Sequence, residues 1–116
     1  MVAALTDRTL GVTPGYARDV TFDDVRRDWT ALGEQDPLWA VYVAPGRQGG
    51  RWDVDEFFAT GRREVGASLE HLRSLGVVPG TDRALDFGAG VGRLSNALAE
   101  HFSSVVGVDV SPTMLE

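Results

Sequence analysis

The sequence predicts an α/β fold: helices come first, followed by the first βαβ unit of a parallel sheet. Three observations predict it. Through the first two-thirds of the chain, apolar residues recur at helical spacing, as in Phe22, Val25, Trp29 and Leu32. At Ala84 the pattern changes to a short run, Ala84-Leu85-Asp86-Phe87, which ends in Gly88-Ala89-Gly90-Val91-Gly92. A helical stretch from Arg93 to His101 then leads to a second apolar run, Val105-Val106-Gly107-Val108-Asp109. Strand, glycine turn, helix and strand in that order make a βαβ unit. Apolar strands that run on without alternation suit a parallel sheet covered on both faces.

The elements follow in order along the chain. Residues 1–20 lack periodicity and are broken by Gly11, Pro14 and Gly15, so a flexible arm is expected there. Residues 21–82 form a helical region. Its first helix starts at Thr21, a favourable N-cap with Asp23 and Asp24 in the first turn, and Gly33 is placed to end it. Asp36-Pro37 opens a short turn through Trp39, with proline at the first helical position. The glycine-rich stretch 44–51 reads as a surface connector, since the lysine of a phosphate-binding loop is missing. The longest helix starts at the N-cap Asp53 and runs to Leu75, with Phe58, Val65, Leu69 and Leu72 as its apolar stripe. Gly61, in that helix, either permits a close approach to this face or is simply tolerated there. Residues 83–116 hold the βαβ unit.

Composition narrows the function. At 116 residues the chain has the size of one domain, and 43% hydrophobic with 24% charged residues is a globular balance. No apolar run approaches the roughly 18 residues needed to span a bilayer, so no membrane association is expected. The first residues lack a signal-peptide pattern, and a cytoplasmic protein is expected. The absence of cysteine excludes disulfides and thiolate metal sites, and no metal centre is expected. The net charge is −6, and all eleven basic residues are arginine. An acidic surface repels a phosphate backbone, so no nucleic-acid partner is expected. Arg26-Arg27 and Arg62-Arg63 read as solvated helix faces.

The chemistry concentrates after residue 83. Gly88 permits a tight exit from the strand, and Gly90 and Gly92 let bare main chain approach a ligand. The helix that follows directs its free amides toward the same place. Asp86 sits just before the loop, suited to attract a cation. Asp109, at the tip of the second strand, has two oxygens that fit the neighbouring hydroxyls of a ribose. Its position 17 residues after Gly92, with a helix and an apolar strand between, makes the combination far more specific than a lone glycine turn.

Two cofactor classes use this architecture. The dinucleotide fingerprint, aligned on Gly88 and Gly90, places Arg93 where close helix–strand packing asks for a very small residue. The alternating form Asp86-x-Gly88-x-Gly90-x-Gly92 instead resembles motif I of class I S-adenosylmethionine (SAM) dependent methyltransferases. Val106-Gly107-Val108-Asp109-Val110-Ser111-Pro112-Thr113-Met114-Leu115 looks like the acidic-loop motif that follows it in many members. Asp36-Pro37-Leu38-Trp39 and Phe57-Phe58-Ala59-Thr60-Gly61 are similar to the amino-terminal helices of some small-molecule methyltransferases.

That resemblance implies a Rossmann-like fold, SAM as cofactor and a small-molecule methyl acceptor. It implies that Gly88, Ala89, Gly90 and Gly92 line the methionine moiety, with Asp86 near its ammonium group. Asp109 would hold the ribose hydroxyls, and Val110 and Met114 would flank the adenine. Charge agrees for Asp86, because SAM presents cations where a dinucleotide presents a pyrophosphate. No residue is assigned as general base. His71 and His101 are isolated and read as helix-face residues, while Trp29, Trp39, Trp52, Phe57 and Phe58 read as core, one or two of them available to close over the cofactor. The resemblance also implies a larger sheet than two strands. The chain is therefore expected to be the front part of a longer enzyme, weak or inactive toward SAM when alone. Two other readings are an NAD(P)-dependent oxidoreductase and a non-catalytic fragment that binds a partner or dimerises; the oligomeric state is not legible.

Overall fold

A computed structural model describes residues 19–116. The arm expected at 1–20 lies outside these residues except for Asp19 and Val20, which are exposed. The element order is α1 (Phe22–Gln35), α2 (Pro37–Val41), α3 (Val54–Ser74), β1 (Arg83–Phe87), α4 (Arg93–Leu98) and β2 (Ser104–Val108). A 3₁₀ turn at Pro112–Met114 ends the chain. Among the described residues no helix is long and apolar enough to cross a membrane.

Helix α1 starts as its sequence dictates. The Thr21 hydroxyl accepts the Asp24 N–H at 3.2 Å, and the Asp24 carboxylate accepts the Thr21 N–H at 3.1 Å, a reciprocal capping box. Gly33 does not end the helix, which continues to Gln35. A Cβ at Gly33 would lie 2.7 Å from Thr113 Oγ1 and 3.3 Å from Met114 Cγ. Glycine is needed there for contact with the 3₁₀ turn, and the Thr113 hydroxyl donates to the Thr30 carbonyl at 3.2 Å across the same junction.

Asp36 makes no side-chain cap for α2. Its carboxylate instead accepts the Gly49 and Gly50 amides, at 2.6 and 3.1 Å. The glycine-rich stretch thus spends two backbone donors on a carboxylate within the chain, as a connector does. Tyr42, Trp52, Phe57 and Phe58 form a chain of aromatic rings with centroids 5.8, 5.7 and 5.3 Å apart. The Trp52 indole N–H donates to the Tyr42 carbonyl at 3.1 Å.

Helix α3 is capped by Asp53, whose side chain accepts the Glu56 N–H at 3.0 Å. Its buried face is Phe57, Gly61, Val65 and Leu69, a strict i, i+4 series, with Thr60 beside it. The expected stripe was displaced at its ends: Phe57 is buried where Phe58 and Leu72 are half-buried. Gly61 explains the shift. A Cβ there would overlap the Arg93 carbonyl oxygen, so the helices touch at a bare backbone, and the face follows that contact. Val65 and Leu69 pack with Ala97, flanked by Leu94, Leu98 and Phe102, to form the main core.

The two strands pair in parallel with Asp86 opposite Gly107 and Phe87 opposite Val108. A Cβ on Gly107 would lie 2.9 Å from Ala89 Cβ and 3.0 Å from Ser95 Oγ, so the face holding Asp86 and Gly107 is the one that α4 covers. The layers are therefore sheet, α4 and α3. The opposite face carries Leu85, Phe87, Val106 and Val108, all exposed, with Phe87 at 86%. Helix α4 is three residues shorter than the expected 93–101, because its last turn closes with i→i−3 bonds from Glu100 and His101. The arrangement is that of a βαβ unit and is compatible with part of a Rossmann-like fold.

Candidate functional site

Between β1 and α4 the chain turns on three glycines. Gly88, Gly90 and Gly92 have φ of +81°, +54° and +81°, values that a side chain resists. The Gly88 and Ala89 N–H groups both donate to the Val108 carbonyl, at 2.8 and 2.9 Å. The β ladder thus extends one step past β1 and lays the loop beside the end of β2. There the Asp109 carboxylate accepts the Gly90 N–H through one oxygen and the Ser111 N–H through the other, both at 2.8 Å. Each oxygen keeps a second acceptor position.

A cavity of about 530 Å³ opens at this junction. Gly88, Gly90 and Asp109 line it from the loop and strand tip, and Val110 and Met114 from the segment after β2. Phe22, Val25 and Trp29 of α1, with Val41 of α2, supply another wall. Val41 fits closely, since a Cβ on Gly90 would lie 2.7 Å from its Cγ2. Among the described residues Asp109 is the one ionisable side chain in this lining, which is otherwise apolar.

Five of the residues predicted from sequence thus come together: Gly88, Gly90, Asp109, Val110 and Met114. Asp86, Ala89 and Gly92 do not line the cavity. Strand alternation turns Asp86 to the face opposite Phe87. Its buried carboxylate accepts the Ser95 hydroxyl at 2.6 Å and borders a smaller groove, about 350 Å³, beside α3. Ala89 is buried against Gly107, and Gly92 is the left-handed N-cap of α4. Ser111 does not cap a helix with its side chain; its hydroxyl shares a hydrogen bond with Thr113 at 2.9 Å.

The composition of this junction has a counterpart among known proteins, for residues 84–116 match the family model described as a methyltransferase domain. Residues 84–116 are similar in sequence to that domain. The match supports the resemblance to class I SAM-dependent methyltransferases, and it covers both motifs that carry that resemblance. No curated protein and no solved structure matches the chain.

Beyond residues 84–116, sequence reasoning missed most of the α1 wall. Phe22, Val25 and Trp29 lie on one helical stripe, and such a stripe signals an apolar neighbour without saying whether it is core or cavity. Val41 left no signal at all. His71 and His101 are exposed and lie outside the cavity. Among the described residues no group of three or more histidine, aspartate or glutamate side chains is placed to hold a metal ion.

Proposed function

We propose that the protein transfers a methyl group from SAM to a small-molecule acceptor, with the cavity at the β1–β2 tip as the SAM site. One observation carries this reading. The glycine loop and Asp109 share a cavity, and both belong to residues 84–116, which match the methyltransferase-domain model.

The residues present fit the cofactor. Gly88 and Gly90 offer a ligand main chain without Cβ atoms. Asp109, already held by two amides, keeps acceptor positions for two ribose hydroxyls. Val110 and Met114 offer apolar surface to an adenine ring. When bound, SAM supplies an electrophilic methyl group on a sulfonium. What the chain contributes is position, since methyl transfer is an in-line displacement that gains most from alignment of donor and acceptor. Phe22, Val25 and Trp29 offer the cavity an apolar wall, and an apolar lining favours an uncharged small molecule over a polyanion.

Amide chemical-shift mapping, which detects even millimolar binding, tests the proposal. S-adenosylhomocysteine is expected to shift Gly88, Gly90, Asp109, Val110 and Met114, and NAD to leave them in place. A response to NAD alone overturns the proposal in favour of a dinucleotide enzyme.

A further inference from the structure

Arg93 follows the glycine loop directly and is 7% exposed. Its guanidinium donates to Glu64 at 2.7 Å and to the Thr60 hydroxyl at 3.3 Å, both on α3. Its Cζ stands 4.7 Å from the centroid of the Tyr42 ring. The Nε is buried and has no hydrogen-bond partner among the described residues. A buried guanidinium with an unsatisfied N–H is a poor way to fill space, and an apolar side chain of similar volume is often as stabilising or more so. What a guanidinium supplies instead is direction. Two hydrogen bonds and a ring face fix it as no aliphatic chain is fixed.

The residues around it make the loop the object of that direction. Gly61 allows α3 to meet the Arg93 carbonyl, so the backbone at the loop's end is held as well as the side chain. Val41 and Tyr42 are consecutive, and they grip the loop at two points: Val41 packs on Gly90 and Tyr42 on Arg93. The helical region thus holds the loop at its middle and at its end.

We propose that Arg93 is a positioning residue: its contacts with Glu64, Thr60 and Tyr42 let the helical region hold the glycine loop in its ligand-binding shape. The loop's use in binding rests on the SAM reading above, whereas the clamp on the loop stands apart from it.

The test uses the full chain with Arg93→Met, which keeps length and apolar volume, and Arg93→Lys, which keeps a charge for Glu64. In the ligand-free protein, hydrogen exchange of the Gly90 and Gly92 amides is expected to rise about tenfold in Arg93→Met, the scale set by losing hydrogen bonds to a charged group. The Leu85 and Val106 amides are expected to hold their rates, and Arg93→Lys to recover part of the effect. With S-adenosylhomocysteine as probe, affinity is expected to fall by a similar factor. Loop exchange unchanged in Arg93→Met, or loop and strand amides quickening together, overturns the proposal, because the residue then fills space only. Should Arg93→Met refold poorly, Tyr42→Leu and Glu64→Gln remove one contact each, and neither altering loop exchange is equally fatal. A loop effect without any response of the parent protein to the probe sinks the SAM reading and leaves the clamp standing.

Discussion

Asp109, at the tip of β2, accepts the backbone N–H of Gly90 at 2.8 Å, so the end of one strand holds the loop that leaves the other. Its second oxygen accepts the Ser111 N–H at the same distance. The carboxylate is therefore an internal brace as well as the cavity's one ionisable group.

A carboxylate can accept at both oxygens, and an amide cannot. In Asp109→Asn the side-chain NH₂ group must face one of the two backbone donors and leave it unsatisfied. The expected cost is about 1–3 kcal/mol of stability, read from the urea midpoint. The same variant is expected to weaken S-adenosylhomocysteine binding. An unchanged midpoint contradicts the brace.

Two glycines of α3 are expected to respond to alanine with opposite signs. Among the described residues nothing lies within 4 Å of where a Cβ on Gly66 would sit, so Gly66→Ala removes the helix penalty of glycine and stabilises by up to about 1 kcal/mol. At Gly61 the same methyl would overlap the Arg93 carbonyl oxygen, which is backbone and yields little. Gly61→Ala is expected to destabilise by about 1–3 kcal/mol, since overpacking outweighs propensity. Thermal unfolding of both variants checks the pair, and equal signs refute the close contact between α3 and α4.

This contact also shows where the sequence was legible and where it stopped. The βαβ unit was readable because its signals are local: continuous apolar runs, a glycine turn, an acidic residue at a strand tip. The pairing of Gly88 with Val108 and the meeting of Gly90 with Asp109 follow from those signals. Packing between distant helices left fainter marks. Gly33 looked like a helix terminator because a glycine after an apolar stripe usually is one, yet it serves the contact with Met114. Phe58 and Phe57 are adjacent, and only the approach of α3 to Arg93 decides which is buried. Asp36 read as a cap because aspartate before proline commonly caps, and its amide partners 13 and 14 residues onward were out of reach of a local rule.

The start of α1 is expected to be sensitive to acid. The Thr21 hydroxyl, then the Thr21 N–H and then Arg27, hold the Asp24 carboxyl below its ordinary value of 3.8. A carboxyl lowered on folding contributes stability that is full above the unfolded value and is lost as pH falls through the lower folded one. Capping by Asp24 is thus complete at neutral pH and fades only below about 3.8. Amide exchange in the first turn of α1 is expected to quicken over that acid range. Thr21→Val removes the largest cause, brings the folded value closer to the unfolded one, and is expected to shrink the acid-dependent change in exchange. An acid-dependent change of undiminished size rules out the hydroxyl as the main cause.

Trp29 separates cavity from core most sharply. It is 40% exposed, so only part of the cost of deleting a fully buried tryptophan, about 3–5 kcal/mol, applies. Yet it lines the cavity beside Phe22 and Val25. Trp29→Ala is therefore expected to lower the unfolding midpoint less than loss of a fully buried aromatic does, while S-adenosylhomocysteine affinity falls about tenfold, the usual scale for losing aromatic contact with a bound ring. A parallel variant in the aromatic chain, Phe57→Ala, is expected to do the reverse in kind. Phe57 is fully buried and lies outside the cavity lining, so its loss unfolds the helical region by several kcal/mol. If Trp29→Ala instead loses stability on the scale of Phe57→Ala, α1 is a core helix and the wall of the cavity has been misassigned.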